Sequence, residues 1–210
     1  MYNPKHFAQT DHNEIVKTIR RLGAAELITF GSKGIEASFL PLLLSDDASV
    51  LRGHFARANQ QWKHVDASVE ALACWRGPDT YISPNLYPAK QVDGKVVPTW
   101  NFITIQVRGE IVIHDDPTWV EDLVRALTTL HESKSAAPWS VDDAPRDYID
   151  SMLAAIVGVE LRITSIEAKW KLSQNKSPTD VDGVIAGLRK GDALGAPEIA
   201  DLMSRVRTQG

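Results

Sequence analysis

Between Trp100 and His114 the chain carries Phe102, Ile103, Ile105, Val107, Ile111, Val112 and Ile113. Such a density of β-branched and aromatic side chains suits a half-buried pleated surface, so the run reads as one long strand. Gly109 sits inside it, where a glycine marks a bulge or a sharp bend at a barrel corner. Further strands are expected at Ala25 to Phe30, Ile35 to Leu44, Val50 to Ala56, Ser68 to Arg76, Thr80 to Ile82, and from Val159 towards Lys171. Gly31-Ser32-Lys33-Gly34 is the turn of a hairpin. Strands following one another so closely favour antiparallel pairing. A doubly wound nucleotide fold needs strand–helix alternation and a glycine-rich first turn, and the sequence has neither. The expectation is α+β, mostly β: a six-stranded antiparallel barrel with helical additions.

The helices announce themselves by caps and spacing. Asp11 with Glu14 forms a capping pair, Ile15, Val16, Ile19 and Leu22 follow at helical intervals, and Gly23 stops a helix over 12–22. Asp116-Pro117 opens another, with Val120, Leu123, Val124, Leu127 and Leu130 on one face. Residues 147–156 read as a helix ended by Gly158, and two more are expected at 179–190 and 197–207. The domain expectation is a barrel over 1–175 with a helical extension, 176–210, packed on it.

A chain of 210 residues suffices for one generous core. The longest apolar run, Phe39 to Leu44, is interrupted by Pro41 and is far shorter than the roughly 20 residues of a membrane helix. No membrane contact is expected. The N-terminus shows no apolar stretch with a cleavage site, and the lone Cys74 cannot form an internal disulfide. These features point to the cytoplasm. A net charge of -4 argues against a surface coated for nonspecific nucleic-acid binding, though not against a local basic patch.

Four segments concentrate polar chemistry. Gly53-His54-Phe55-Ala56-Arg57-Ala58-Asn59-Gln60-Gln61-Trp62-Lys63 contains no acid. There Arg57 offers a planar fork of donors, Lys63 a point charge and Asn59 a neutral donor, a set suited to a phosphate. A solvated loop with a half-buried tryptophan is the other reading. Thr80-Tyr81-Ile82-Ser83-Pro84-Asn85-Leu86-Tyr87 would line a barrel edge, as ligand contacts or as corner packing. In Val97-Pro98-Thr99-Trp100-Asn101-Phe102 an asparagine stands where strands seldom place one, and it requires a specific partner. An aromatic beside an amide suits a heteroaromatic ring, or equally a structural corner. Lys169-Trp170-Lys171-Leu172-Ser173-Gln174-Asn175-Lys176 is again free of acids, as a site or as a solvated face. The histidines are scattered, with no metal-ligand spacing, and no nucleophile elbow, phosphate loop or acid/base carboxylate pair is present.

"MYNPKHF", "GHFARANQQW", "YISPNLY", "VPTWNF" and "KWKLSQN", with "GVIAGL" beyond, resemble in content and order the signature blocks of the FMN-binding negative transcriptional regulators, the PaiB-like family. Gln60 stands where the family commonly has proline, and Leu86 where an aromatic is frequent. The resemblance implies a split β-barrel, related to the pyridoxamine-phosphate-oxidase and flavin-reductase-like group, that works as a homodimer with FMN in a cleft between subunits. It also implies repression of transcription, first associated with sporulation and secreted-protease genes. Carried onto this sequence, His54, Arg57, Asn59 and Lys63 would hold the phosphate and Tyr81 and Ser83 the flavin wall. Trp100 and Asn101, from the partner subunit, would approach the ring, and Lys171, Ser173, Gln174 and Asn175 would close the site.

Three functions follow. One is a flavin- or redox-responsive negative regulator, for which DNA contacts would fall to Lys169–Lys176 or to Arg189, Lys190, Arg205 and Arg207. Acids intersperse the terminal helices and no helix-turn-helix pattern is present, so an indirect effect stands beside direct DNA binding. The second is an FMN-dependent oxidoreductase with no direct DNA binding, in which the flavin supplies the redox chemistry. The third is a haem-binding split barrel with His54 or His64 as axial ligand.

Overall fold

The computed structural model describes residues 1–209. Eight strands form a single sheet in the order β3-β2-β6-β7-β8-β5-β4, with β1 paired to β8. They are β1 (Ala8–Gln9), β2 (Ala24–Gly31), β3 (Gly34–Pro41), β4 (Leu43–Leu44), β5 (Val50–Ala56), β6 (Ala71–Ile82), β7 (Thr99–His114) and β8 (Ile156–Lys171). Two of these are two-residue pairs, leaving the six substantial strands that the sequence leads one to expect. The pairings β1–β8, β2–β3, β2–β6, β4–β5 and β5–β8 are all antiparallel, and the sheet does not close. With its flanking helices this is the split-barrel class.

The residues fall into two compact units: 1–15, 76–105 and 167–209 in the first, and 16–75 and 106–166 in the second. The second unit contains the β2–β3 hairpin, β5, the short helix α2 (Gln61–His64), α3 (Pro117–Glu132) and α4 (Arg146–Ala154). Val120, Val141, Ile149 and Leu153 form a buried cluster there, with Trp119, Val124, Ala144 and Ile156 against it. Asp116 caps α3 as expected, its Oδ1 accepting from the Thr118 N–H at 3.1 Å. The first unit contains β1, α5 (Pro178–Lys190) and α6 (Ala196–Gln209), with Val184, Leu188, Ile199 and Met203 buried.

Helix α1 (His12–Leu22) starts where its cap predicts, with Asp11 Oδ1 accepting from the N–H groups of Asn13 and Glu14 at 2.9 and 3.3 Å. The return bond of the capping pair is replaced: the Asp11 N–H donates to Gln9 Oε1 at 2.8 Å. Gly23, at φ 70°, ends the helix in the left-handed region that glycine enters freely.

Four expectations need correction. Residues 68–76 and 80–82 are not two strands but one, β6. Pairing with β2 ends at Cys74, so Pro78, which has no N–H, removes no ladder bond on that side. The strand expected over 35–44 breaks at Leu42, because Pro41 cannot donate and the Leu42 N–H instead reaches Gly23 O at 2.8 Å. Helix α4 ends at Ala154, and Gly158 lies within β8, where the Trp119 ring covers its bare backbone. A Cβ at Gly158 would fall 2.3 Å from Trp119 Cζ3. Gly109 owes its place to close approach: a Cβ there would stand 2.2 Å from the Arg162 carbonyl oxygen. Cys74 is half-buried, and burial pushes its thiol pKa up.

Candidate functional site

In the first unit the start of β7 meets the end of β8. Asn101 is fully buried, and its partner lies 72 residues away: Nδ2 donates to Ser173 Oγ at 3.0 Å, and the Ser173 hydroxyl faces Asn101 Oδ1 at 3.2 Å. The same Nδ2 donates to Met203 Sδ at 3.4 Å. Ser173 adopts φ 66°, a left-handed conformation that costs a serine of order 1–3 kcal/mol and persists only where the surroundings over-determine it. The Asn101 amide and the buried hydroxyl provide that constraint.

Around this pair lies a cavity of about 210 Å³, bordered by Thr99, Asn101, Lys171, Ser173, Asn175 and Lys176 with Phe7, Val97 and Pro98. No carboxylate of the described residues lines it. Among the described residues the Lys171 ammonium donates to two neutral acceptors, Thr99 Oγ1 and Trp100 O. Burial pushes its pKa down, and the charges of Lys169 and Lys176 push it further the same way. Two cations with amide and hydroxyl donors make a lining whose chemistry suits a phosphate or another polyoxygen anion. Gln174 faces elsewhere: its amide accepts from the Leu172 N–H at 2.7 Å and donates to Trp170 O at 2.6 Å, bracing the chain after β8.

Tyr81 and Trp100 border a larger groove of about 740 Å³, together with Arg76, Asp79, Leu194 and Glu198. Their ring centroids are 6.2 Å apart and each side chain is about half exposed. The Trp100 indole N–H donates to Asp79 Oδ1 at 2.8 Å, while Arg76 holds Asp79 Oδ2 at 2.7 Å and keeps that carboxyl below its ordinary pKa. Ser83 serves the backbone, its Oγ accepting from the Asn85 N–H at 3.2 Å. Leu86, in place of an aromatic, seats against the bare backbone of Gly187, where a Cβ would lie 2.4 Å from Leu86 Cδ2. The "GVIAGL" run is thus a contact face of α5.

In the second unit the residues from β5 into α2 are mostly satisfied internally. Arg57 Nη1 and Nη2 grip both oxygens of Asp115 at 3.0 and 2.6 Å, and Nε and Nη2 also donate to Ala154 O and Ile156 O at 2.7 and 3.1 Å. Asn59 donates to Ser38 Oγ at 2.7 Å and accepts from the Gln61 N–H at 3.1 Å. Gln61, buried, donates to Leu27 O, Thr29 Oγ1 and Glu36 O and accepts from Ser38. Lys63 is exposed, with its ammonium 5.1 Å from the Trp62 ring centroid. His54 Nδ1 is buried with no hydrogen-bond partner among the described residues, beside a cavity of about 340 Å³ lined mainly by Val124, Leu127, Thr128, His131 and Trp139. Burial lowers the His54 pKa and favours the neutral ring. His64 Nδ1 lies 3.0 Å from Glu36 Oε2.

The structure therefore brings Asn101, Lys171, Ser173 and Asn175 to one cavity, Tyr81 and Trp100 to one groove, and His54, Arg57, Asn59 and Lys63 to the second unit. Sequence reasoning missed Asp115, Gln61 and Thr99. Asp115 carries no local signal, since it stands 58 residues from Arg57.

Residues 1–165 match the family described as "Putative FMN-binding domain". The chain is 31% identical over 205 residues to "Protease synthase and sporulation protein PAI 2" of Bacillus subtilis, covering 97% of this chain and 96% of that one. Among solved structures, a conserved hypothetical protein of Mycobacterium tuberculosis superposes with a TM-score of 0.58 at 12% identity, covering 85% of this chain and 94% of that chain. An FAD and haem binding protein of Mycobacterium smegmatis gives 0.58 at 12% identity, with coverage of 83% and 78%. At such identities these two likenesses concern the fold.

Proposed function

The chain belongs to the family described as "Putative FMN-binding domain", whose cofactor is FMN, and on that footing we propose that it is a homodimeric FMN-binding protein acting as a negative regulator of transcription. The observation that carries the FMN reading is the carboxylate-free cavity around Lys171 and Lys176, whose donors fit the oxygens of this anionic cofactor. In this reading Lys171, Lys176 and Asn175 hold the anionic end, and the Asn101–Ser173 pair fixes the cavity floor. Trp100 and Tyr81 offer aromatic faces to a planar ring. When bound, FMN supplies one- and two-electron redox chemistry, and the protein's part is to bind, orient and exclude water. Of the four residues expected at the phosphate, Arg57 and Asn59 act as internal braces, while Lys63 and the neutral His54 remain open to a ligand on their own unit.

The dimer reading rests on the outer face of the β2–β3 hairpin, where Phe30, Ile35 and Phe39 are 49%, 76% and 66% exposed. Large apolar side chains grouped in this way mark an association surface. Sedimentation at micromolar concentration is expected to give a dimer, and Phe39→Glu a monomer; a monomeric wild type would end the dimer reading.

Regulation is assigned to the ligand state of the dimer rather than to the terminal helices gripping DNA. Arg189 is paired with Asp201 at 3.2 Å and Arg207 with Asp182, which neutralises two of the cations that would face phosphates. The open groove beside Trp100 favours a second reading, an FMN-dependent oxidoreductase, because it leaves room for a substrate.

The test is a titration of the apo protein with FMN, followed by flavin fluorescence. Saturable binding by the wild type that is weakened in Lys171→Met supports the site. Unchanged affinity in that variant moves the cofactor away from this cavity, and no binding by the wild type ends the FMN reading. Turnover of a hydride donor by the loaded protein, without any effect on transcription, would favour the oxidoreductase.

A further inference from the structure

The residues that follow β8 form a thin wall between two cavities. Ser173 and Asn175 face the basic cavity already described, Leu172 and Gln174 face a second one, and Lys176 borders both. The second cavity, about 290 Å³, lies against α5 and α6 and is lined by Leu172, Pro178, Val181, Met203 and Val206, with Gln174, Lys176 and Arg207 as its polar members. Its size is at the small end of ligand pockets and suits a short flexible chain.

We propose that this second cavity binds a small apolar monoanion, an alkanoate in chemical class, with its tail against Val181, Met203 and Val206 and its carboxylate at Lys176. The charge assignment follows from pairing. Arg207 is engaged by Asp182, whereas Lys176 has the Tyr87 ring at 5.3 Å and no carboxylate partner among the described residues. Gln174 does not compete for the headgroup, because both ends of its amide are committed to the backbone of Leu172 and Trp170. A flexible thioether such as Met203 adapts to chains of differing shape. Met203 also accepts from Asn101, which is hydrogen-bonded to Ser173, so a tail packed on Met203 presses on the floor of the basic cavity. Occupancy of one cavity therefore biases the other. This coupling, unlike the alkanoate site itself, rests on the FMN reading.

The test titrates the full-length apo protein with hexanoate, octanoate and decanoate, and with octanol as the uncharged control, by calorimetry. Octanoate should bind saturably, affinity should rise about fourfold per methylene until the cavity is full, and octanol should bind at least roughly tenfold more weakly. Lys176→Gln should bring octanoate down to the level of octanol. Val206→Trp, at a half-buried position, should fill the cavity and abolish binding of both while its far-UV circular dichroism stays native. Absence of saturable octanoate binding, equal binding of octanol, or indifference to Val206→Trp in a folded variant would each overturn the proposal. No FMN is present in these titrations, so they stand or fall separately from the FMN titration.

Discussion

Two runs of this chain look alike in sequence and behave differently in the fold. The run at 53–63 and the run at 169–176 both concentrate cations and amides without a local acid. The first acquires its acid from elsewhere: Asp115 closes on the Arg57 fork, and two carbonyl oxygens take the remaining donors. The second acquires none among the described residues, and Lys171 is left partly desolvated beside a hydroxyl, a carbonyl and two further lysines. The absence of an acid along the chain thus says little about its absence in space. A cation whose partners include a carboxylate is already neutralised, whereas one with only neutral partners keeps its charge available for an anion.

The comparison breaks most sharply at Lys171. Lys171→Met should weaken FMN binding by about 10–100-fold, the loss of a charge-assisted contact worth about 1.5–3 kcal/mol. Its melting temperature should not fall, since a desolvated cation has been removed. Asn101→Ala comes next: it leaves the buried Ser173 hydroxyl without its amide partner and should cost about 1–3 kcal/mol in denaturant unfolding. Arg57→Ala should do the reverse of Lys171→Met, lowering the melting temperature by a few degrees while leaving FMN affinity nearly unchanged. If instead FMN affinity collapsed and stability held, the two roles would have to be exchanged.

The pH dependence gives a subtler contrast. Lys171 has a lowered folded pKa, so the unfolded chain binds more protons between that value and the ordinary lysine value. Stability should rise with pH across that window, while FMN affinity should fall as the ammonium is lost. Asp115 runs the other way. Arg57 holds its carboxyl below the usual value, so the brace is intact above the ordinary carboxylate range and is lost as acid is added through the lowered pKa. Alkali should therefore release the ligand, and acid should loosen the second unit. The smallest effect is expected at Gln60, whose φ of -75° already suits proline, so that Gln60→Pro should stabilise by about 0.4–1 kcal/mol.

Much of the fold is legible because its signals are local. The caps at Asp11 and Asp116, the turn at Ser32-Lys33 and the β-branched run of β7 each specify their element from within a few residues. The errors share a cause: Gly77-Pro78 and Gly158 were punctuation by local rules, yet each sits inside a strand for reasons set by the neighbouring chain. Within the site, Asn101 was legible as an oddity requiring a partner, although its partner was not. The Arg57–Asp115 brace was invisible, because nothing near Asp115 distinguishes it from the helix cap that follows.

One feature of the open sheet bears on how this protein survives in a test tube. Strand β3 lies at the end of the strand order, with Ile35 and Phe39 exposed and no further strand beside it among the described residues. Such an edge is a template onto which another chain can add its own strand. Loss of material on storage should accelerate steeply with concentration and begin at this hairpin. A single Ile35→Lys exchange, adding the kind of charge that guards natural sheet edges, should slow that loss, and because Ile35 lies on the proposed dimer face it should weaken the dimer as well.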